Sequence, residues 1–221
     1  MTSAAPAPTT VTVIDLGLGN LGSVLQALKR AGGEPRLCAE PAQLADARRI
    51  VLPGVAAFGL GMERAARFRD ALADALRRGA PVLGICLGMQ LLFEEGDEDG
   101  TRPGLGFLPG RVTRLPDGVQ VPHIGWQRLE RTAASPLLDE AAGPDAAAGP
   151  GAAGAAAGAG WAYFANSYRC EAPPAIVRAV VHHGPVAIAA VVQQGTLFGV
   201  QHHPEKSAAD GERLLRRFLA Q

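Results

Sequence analysis

Apolar positions fall in short, dense runs separated by turn residues, and their spacing switches between strand-like and helix-like periods. Val11-Thr12-Val13-Ile14 is β-branched and predicts a first strand. A glycine-rich turn follows, and Leu21, Val24, Leu25 and Leu28 then recur at helical spacing as far as Gly32-Gly33. Pro35 to Ala39 fits a second strand, and Arg49 to Leu52 a third, closed by Pro53-Gly54. Met62, Ala65, Phe68, Leu72 and Leu76 mark one face of a long helix ending at Gly79. Pro81 to Ile85 is apolar without alternation, the pattern of a strand buried on both faces. Leu87 to Phe93 reads as the helix that follows it.

Strands alternating with helices predict an α/β fold, with a mostly parallel sheet covered by helices on both faces. Beyond about residue 105 the chain turns β-rich. Leu105 to Gln127, Ile176 to Val181, Ala187 to Val192 and Leu197 to Val200 read as shorter strands, and Leu214, Leu215 and Phe218 as a closing helix. Ala141 to Gly160 stands apart, with 11 Ala, 6 Gly, 2 Pro and a single Asp. Gly or Pro interrupts the alanines every few residues, so this stretch is expected to be a flexible surface insertion rather than a helix.

The 221 residues, 48% of them apolar, suit one domain, expected over residues 11–221. Charge removes several classes of partner. Lys and Arg total 21, as do Asp and Glu, so nothing draws the chain generally to nucleic acid or an anionic membrane. No apolar run approaches the roughly 20 residues of a membrane span. Residues 1–10 lack the basic start and apolar stretch of a signal peptide and are expected to be a disordered tail. Cys38, Cys86 and Cys170 are odd in number and widely spaced, which points to free thiols in a cytoplasmic setting. No metal site is expected, because neighbouring histidines in a strand diverge and no second cluster has ligand spacing.

Three motifs carry candidate chemistry. Gly84-Ile85-Cys86-Leu87-Gly88 has the form G-x-C-x-G between a strand and a helix, the setting of a nucleophile elbow with sulfur as the nucleophile. The helix start favours the thiolate, and the Leu87 N–H is placed to meet a developing oxyanion. A buried structural cysteine in a packed βα unit has the same spacing. His203-Pro204-Glu205 places an imidazole and a carboxylate two residues apart around a proline, so both fall on one side of an extended segment. Its ordinary reading is a charged surface turn. In the same pattern His202 faces away, His182-His183 closes a strand, and His123, in a Pro-His turn, is a contact for a partner or ligand. Gly17 to Gly22 fits G-x-G-x-x-G after a strand, with Glu40 about 20 residues on, which keeps dinucleotide binding open as an alternative.

Taken together, these motifs resemble those of the triad (class I) glutamine amidotransferases, and within them the glutaminase subunits of imidazole glycerol phosphate synthases. The resemblance runs from Val11 to the C-terminus outside the Ala/Gly stretch. It rests on Asp15 to Leu21, Pro53 to Phe58, Gly84 to Gln90, Gly125-Trp126, Tyr163-Phe164, Ser167-Tyr168 and Gly199 to Ser207. It implies a triad of Cys86, His203 and Glu205, and an oxyanion hole from Leu87 with Val55 and Gly54. It implies glutamine contacts at Gln90, Ala56, Ser167 and Tyr168, and a partner surface holding Asn20, Trp126, Tyr163 and Lys206. The implied partner is a (β/α)8-barrel cyclase that forms a heterodimer with the chain and receives its ammonia. No cofactor is implied, and activity without the partner is expected to be low. The chain departs from the family pattern at Ala56, usually Gly, and at Gln127, Asn166 and His202. These departures keep open a catalytically impaired interaction subunit, and a glutaminase for another synthase, such as that of pyridoxal phosphate, is the nearest enzymatic neighbour.

Overall fold

The computed structural model describes residues 9–138 and 160–221. In chain order the elements are β1 (Thr9–Ile14), α1 (Leu21–Arg30), β2 (Gly33–Cys38), β3 (Ile50–Gly54), α2 (Phe58–Ala65), α3 (Arg69–Arg77), β4 (Val82–Cys86) and α4 (Leu87–Leu91). There follow β5 (Phe93–Gly96), β6 (Arg102–Pro103), β7 (Leu108–Arg114), β8 (His123–Arg128), β9 (Glu130–Arg131), β10 (Trp161–Asn166) and β11 (Tyr168–Glu171). The chain closes with β12 (Val177–His183), β13 (Val186–Gln194), β14 (Leu197–Val200) and α5 (Ala208–Leu219).

An eight-stranded sheet, ordered β2-β1-β3-β4-β14-β13-β12-β9, organises the molecule. Strands β2, β1, β3, β4 and β14 are mutually parallel, and β13, β12 and β9 continue antiparallel. The sheet is therefore mixed, with its parallel half where the βα pattern predicts it and its antiparallel half in the β-rich region. The central strand β4 is buried along its whole length, and its side chains alternate between two cores. Leu83 and Ile85 join Val24, Leu28, Leu214 and Phe218 under α1 and α5. Val82 joins Leu52, Phe58, Phe68 and Leu72 under α2 and α3. A second sheet (β11-β7-β5-β6) and a β10-β8 ribbon flank the C-terminal edge of the parallel strands, the edge where α/β sheets gather ligands.

Several expectations are corrected. Thr9 and Thr10 belong to β1, and the rest of the expected tail lies outside the described residues. The helix expected to end at Gly79 is two helices joined by a tight turn at Ala66–Phe68. At that turn Phe68 stays buried while Arg67 reaches the Ala39 carbonyl (2.6 Å) and Glu40 (3.1 Å). The helix after Cys86 stops at Leu91, and Phe93 opens β5, because an apolar run this short fits a strand as well as a helix. Of the Ala/Gly stretch only Gly160 is described, immediately before β10; the expected insertion otherwise lies outside the described residues.

Candidate active site

Two close approaches of backbone build the turn at Cys86. A Cβ on Gly88 would lie 1.7 Å from the Leu52 carbonyl oxygen, and one on Gly84 would lie 2.7 Å from the backbone of Gly88 and Met89. Glycine at both places lets β4 turn into α4 against β3 with no room to spare. Between them Cys86 takes φ +54°, a left-handed backbone that is costly for a side chain with a Cβ and that points its sulfur out of the turn. Cys86 is 8% exposed and lines a cavity, so it is sheltered yet reachable. Leu87 is the first residue of α4, and its N–H has no acceptor within the helix.

His203 arrives from the end of β14, the parallel neighbour of β4. Its Nδ1 lies 2.7 Å from Glu205 Oε1, with both side chains almost wholly buried, and its ring faces the Cys86 sulfur. Burial alone would push His203 down; the hydrogen bonds to Cys86 and Glu205 outweigh it and lift the imidazole from 6.5 to about 10. The loop is stitched to β10. His203 N–H donates to the Tyr163 carbonyl (2.9 Å), the Ser207 hydroxyl donates to the His203 carbonyl (2.6 Å), and Tyr163 N–H donates to Ser207 Oγ (3.0 Å). Cysteine, imidazole and carboxylate thus meet at one point, although Cys86 and His203 come from distant parts of the chain.

A cavity of about 220 Å³ opens at the sulfur. Val55, Ala56 and Leu87 wall one side, Gln90 and Glu98 another, and Ala165 to Tyr168 close it. Every residue expected at the oxyanion hole or substrate site lines this cavity except Gly54, which pairs with Cys86 across β3 and β4 and packs on Leu87. Gln90 Nε2 is 3.1 Å from Gln201 Oε1 and 3.5 Å from the Tyr168 carbonyl, and Gln201 Nε2 is 3.7 Å from Cys86 Sγ. A thiol nucleophile, an imidazole to carry a proton, a backbone N–H at a helix start and an adjoining pocket make up the equipment for amide hydrolysis through a thioester.

Comparison with known proteins agrees with that chemistry. Residues 12–129 match the model of the family described as glutamine amidotransferase class-I. The imidazole glycerol phosphate synthase subunit HisH of Symbiobacterium thermophilum is 45% identical, over 93% of this chain and 91% of that protein. The subunit of the same name from Xylella fastidiosa is 46% identical, over 96% and 97%. The chain belongs to the class-I glutamine amidotransferases. Among solved structures, PurLQS from Thermotoga maritima superposes with a TM-score of 0.71 at 21% identity, covering 96% of this chain and 98% of that one, which is a likeness of fold.

Membership in the amidotransferase family reassigns the glycine motif. Gly17 N–H donates to Asp15 Oδ1 (2.7 Å), which shapes the turn. A Cβ on Gly19, at φ +103°, would lie 2.6 Å from Val55 Cγ2, so this glycine exists to let the turn close over the Val55 loop. The space between them is about 80 Å³, too small for a dinucleotide, and Glu40 is paired with Arg67. His123 is likewise corrected. It is buried at the start of β8, its ring 5.0 Å from that of Phe164 and 4.4 Å from that of His183, and it does not line the cavity. Cys38 and Cys170 are buried free thiols, and burial pushes both up. Among the described residues no three His, Cys, Asp or Glu gather as a metal site, and no helix is long and apolar enough to cross a membrane.

Of the expected partner surface, Asn20 caps α1 by accepting from Ser23 N–H (3.3 Å). Trp126, Tyr163 and Lys206 cluster: the two rings meet edge to face at 5.9 Å, and the Lys206 ammonium stands 5.9 Å from the Tyr163 ring. Glu98 is a residue of the site that no motif flagged, and Gln201, inside the Gly199 to Ser207 motif, is one to which the motif gave no role. Glu98 sits in a loop of this amidotransferase, accepts from Phe58 N–H and still lines the cavity. Only tertiary contact gives either residue its place.

Proposed function

We propose that this chain is the glutaminase subunit of an imidazole glycerol phosphate synthase, hydrolysing glutamine to glutamate and ammonia and passing the ammonia to a cyclase subunit. The observation that carries the reading is Cys86 on a strained elbow facing the His203–Glu205 pair. The relatives from Symbiobacterium thermophilum and Xylella fastidiosa are named as subunits of imidazole glycerol phosphate synthase, which favours this synthase over its sister.

The Cys86 sulfur, its proton held by His203, attacks the side-chain carbonyl carbon of glutamine. The oxyanion is received by Leu87 N–H and by Val55 N–H once the Gly54–Val55 peptide turns toward the cavity. His203 gives its proton to the departing nitrogen, ammonia leaves, and a glutamyl thioester remains. His203 then takes a proton from water as it attacks the thioester, glutamate is released, and the sulfur is restored. Glu205 holds the imidazole in the tautomer and orientation both steps need. Glutamine lies between Gln90 and the Ser167-Tyr168 segment, with Glu98 a fitting partner for its α-ammonium group. A (β/α)8-barrel cyclase docks on the face holding Asn20, Trp126, Tyr163 and Lys206 and uses the ammonia to make imidazole glycerol phosphate and aminoimidazole carboxamide ribonucleotide. The chemistry needs a free thiol and no metal ligand set, in keeping with a cytoplasmic heterodimer.

The test is glutamate release from glutamine by the chain with and without its cyclase. The expected outcome is slow release alone, faster release in the complex, and loss of release by several orders of magnitude in Cys86→Ala with the complex still formed. Equal rates for the wild type and Cys86→Ala refute the reading.

A further inference from the structure

We propose that Gln201 is a positioning residue of the reaction, an amide that donates to the Cys86 sulfur and at the same time fixes which end of Gln90 faces the substrate. The inference deepens the glutaminase reading and rests on it. Its warrant is a chain of hydrogen bonds that can be oriented in only one way.

The Tyr168 main-chain carbonyl can only accept. The end of the Gln90 amide that approaches it at 3.5 Å is therefore the NH₂. That same NH₂ lies 3.1 Å from the Gln201 side chain, and two NH₂ groups cannot bond to each other, so Gln201 presents its oxygen there. The remaining end of Gln201 is its NH₂, and it is the atom 3.7 Å from Cys86 Sγ. A single backbone oxygen thus dictates the direction of both amides. Gln201 is held rigidly enough to impose this. It is wholly buried, its own N–H donates to the Ala190 carbonyl (3.0 Å), and it stands two residues before His203, so both side chains reach the same sulfur.

Two chemical consequences follow. A donor aimed at sulfur stabilises the thiolate over the thiol, and an amide does so without a titratable proton that could compete with His203. The Gln90 carbonyl oxygen is left for the cavity, so the site presents an acceptor there. It suits the amide or ammonium donors of glutamine and repels the extra carboxylate oxygens of a wrong ligand.

The full chain carrying Gln201→Met, close in length but without donor or acceptor, is compared with the wild type for the pH dependence of Cys86 alkylation by iodoacetamide. Cys86→Ala supplies the background from Cys38 and Cys170. The midpoint is expected to rise by about one to two pH units, as loss of a hydrogen bond to a charged group predicts, with alkylation at pH values below the wild-type midpoint slowed in proportion, about ten- to a hundred-fold. In the complex with the cyclase, KM for glutamine is expected to rise several-fold as the Gln90 amide is freed to turn. An unmoved or lowered midpoint overturns the proposal, and a raised KM with an unmoved midpoint is the signature of mere packing and overturns it equally. If Gln201→Met gives no cooperative thermal melt, Gln201→Leu is read in its place. Alkylation needs neither glutamine nor partner, so it still answers if the wild type releases no glutamate and the glutaminase reading itself fails.

Discussion

His202 and His203 are adjacent, yet their surroundings drive them to opposite protonation. His203 meets a carboxylate and a sulfur and is raised to about 10, whereas His202 points into the core, with its ring 5.6 Å from that of Phe164 and its Nδ1 without a partner. Burial first, and then the nearby charge of His203, lower His202 from 6.5 to about 3. The sign of the linkage is fixed by that direction. A base depressed in the folded state binds its proton more readily when unfolded, so its contribution is complete above pH 6.5 and is lost as pH falls toward 3. At pH 5 the wild type should be about 2 kcal/mol less stable through this residue than at pH 8. His202→Phe, which keeps an aromatic ring in the core and removes the titratable nitrogens, should remove that component. Denaturant unfolding of both proteins at pH 8 and pH 5 measures it: His203 acts in the opposite sense but is common to both proteins, so the variant should gain about 2 kcal/mol over the wild type at pH 5 that it does not gain at pH 8, and an equal difference at the two pH values would mean that His202 is already charged in the folded protein.

At the scale of elements, the β4–α4 turn shows how local sequence and tertiary packing divide the work. Gly88→Ala adds a methyl group where Leu52 oxygen stands 1.7 Å away, and neither strand can yield because β3 and β4 are paired from Ile50 to Gly54. The substitution should cost about 3 kcal/mol or more and abolish activity, since overpacking against backbone has no side chain to move aside. Thermal melting and glutamate release check it, and a variant with wild-type melting would mean that the start of α4 is not as close to β3 as described. This turn was legible before the structure, because G-x-C-x-G after a buried run has few other uses, and so was the parallel half of the sheet, whose inner strands β3 and β4 are continuous apolar runs. The short strands β5, β6 and β9 were not legible, since two to four residues carry too little period to read. Gln201 was hidden for a different reason. It reaches Gln90 across 111 positions and Cys86 across 115, and no local spacing encodes contacts of that separation. Glu98 stands beside Glu94, Glu95, Asp97 and Asp99 in the sequence, and only the fold sets it against the pocket.

At the scale of the whole molecule, the proposed triad communicates with one exposed face through very few bonds. Strict alternation along the β8–β10 ribbon turns Ile124, Trp126, Trp161 and Tyr163 outward on a single face, with Trp126 directly opposite Tyr163. Ile124 is 61% exposed, Trp126 46% and Trp161 53%, a concentration of large apolar side chains that a solitary protein rarely leaves bare. The Tyr163 carbonyl holds the His203 N–H, so anything pressing on this face presses on His203 through one peptide group. This gives a physical route by which a docked cyclase would tighten the triad. If that is its use, Trp126→Ala should weaken the complex with the cyclase about thirty-fold or more, the loss expected for a central aromatic anchor of about 2 kcal/mol. Its melting temperature should change little, because the indole is already half in water. Leu37→Ala, on the far edge strand β2 and 49% exposed, is the matched control and should leave the affinity unchanged. Titration calorimetry with the cyclase reads both variants. Equal weakening by the two would place the docking surface elsewhere, and loss of affinity confined to Trp126 would join the partner's face to the histidine that it holds in place.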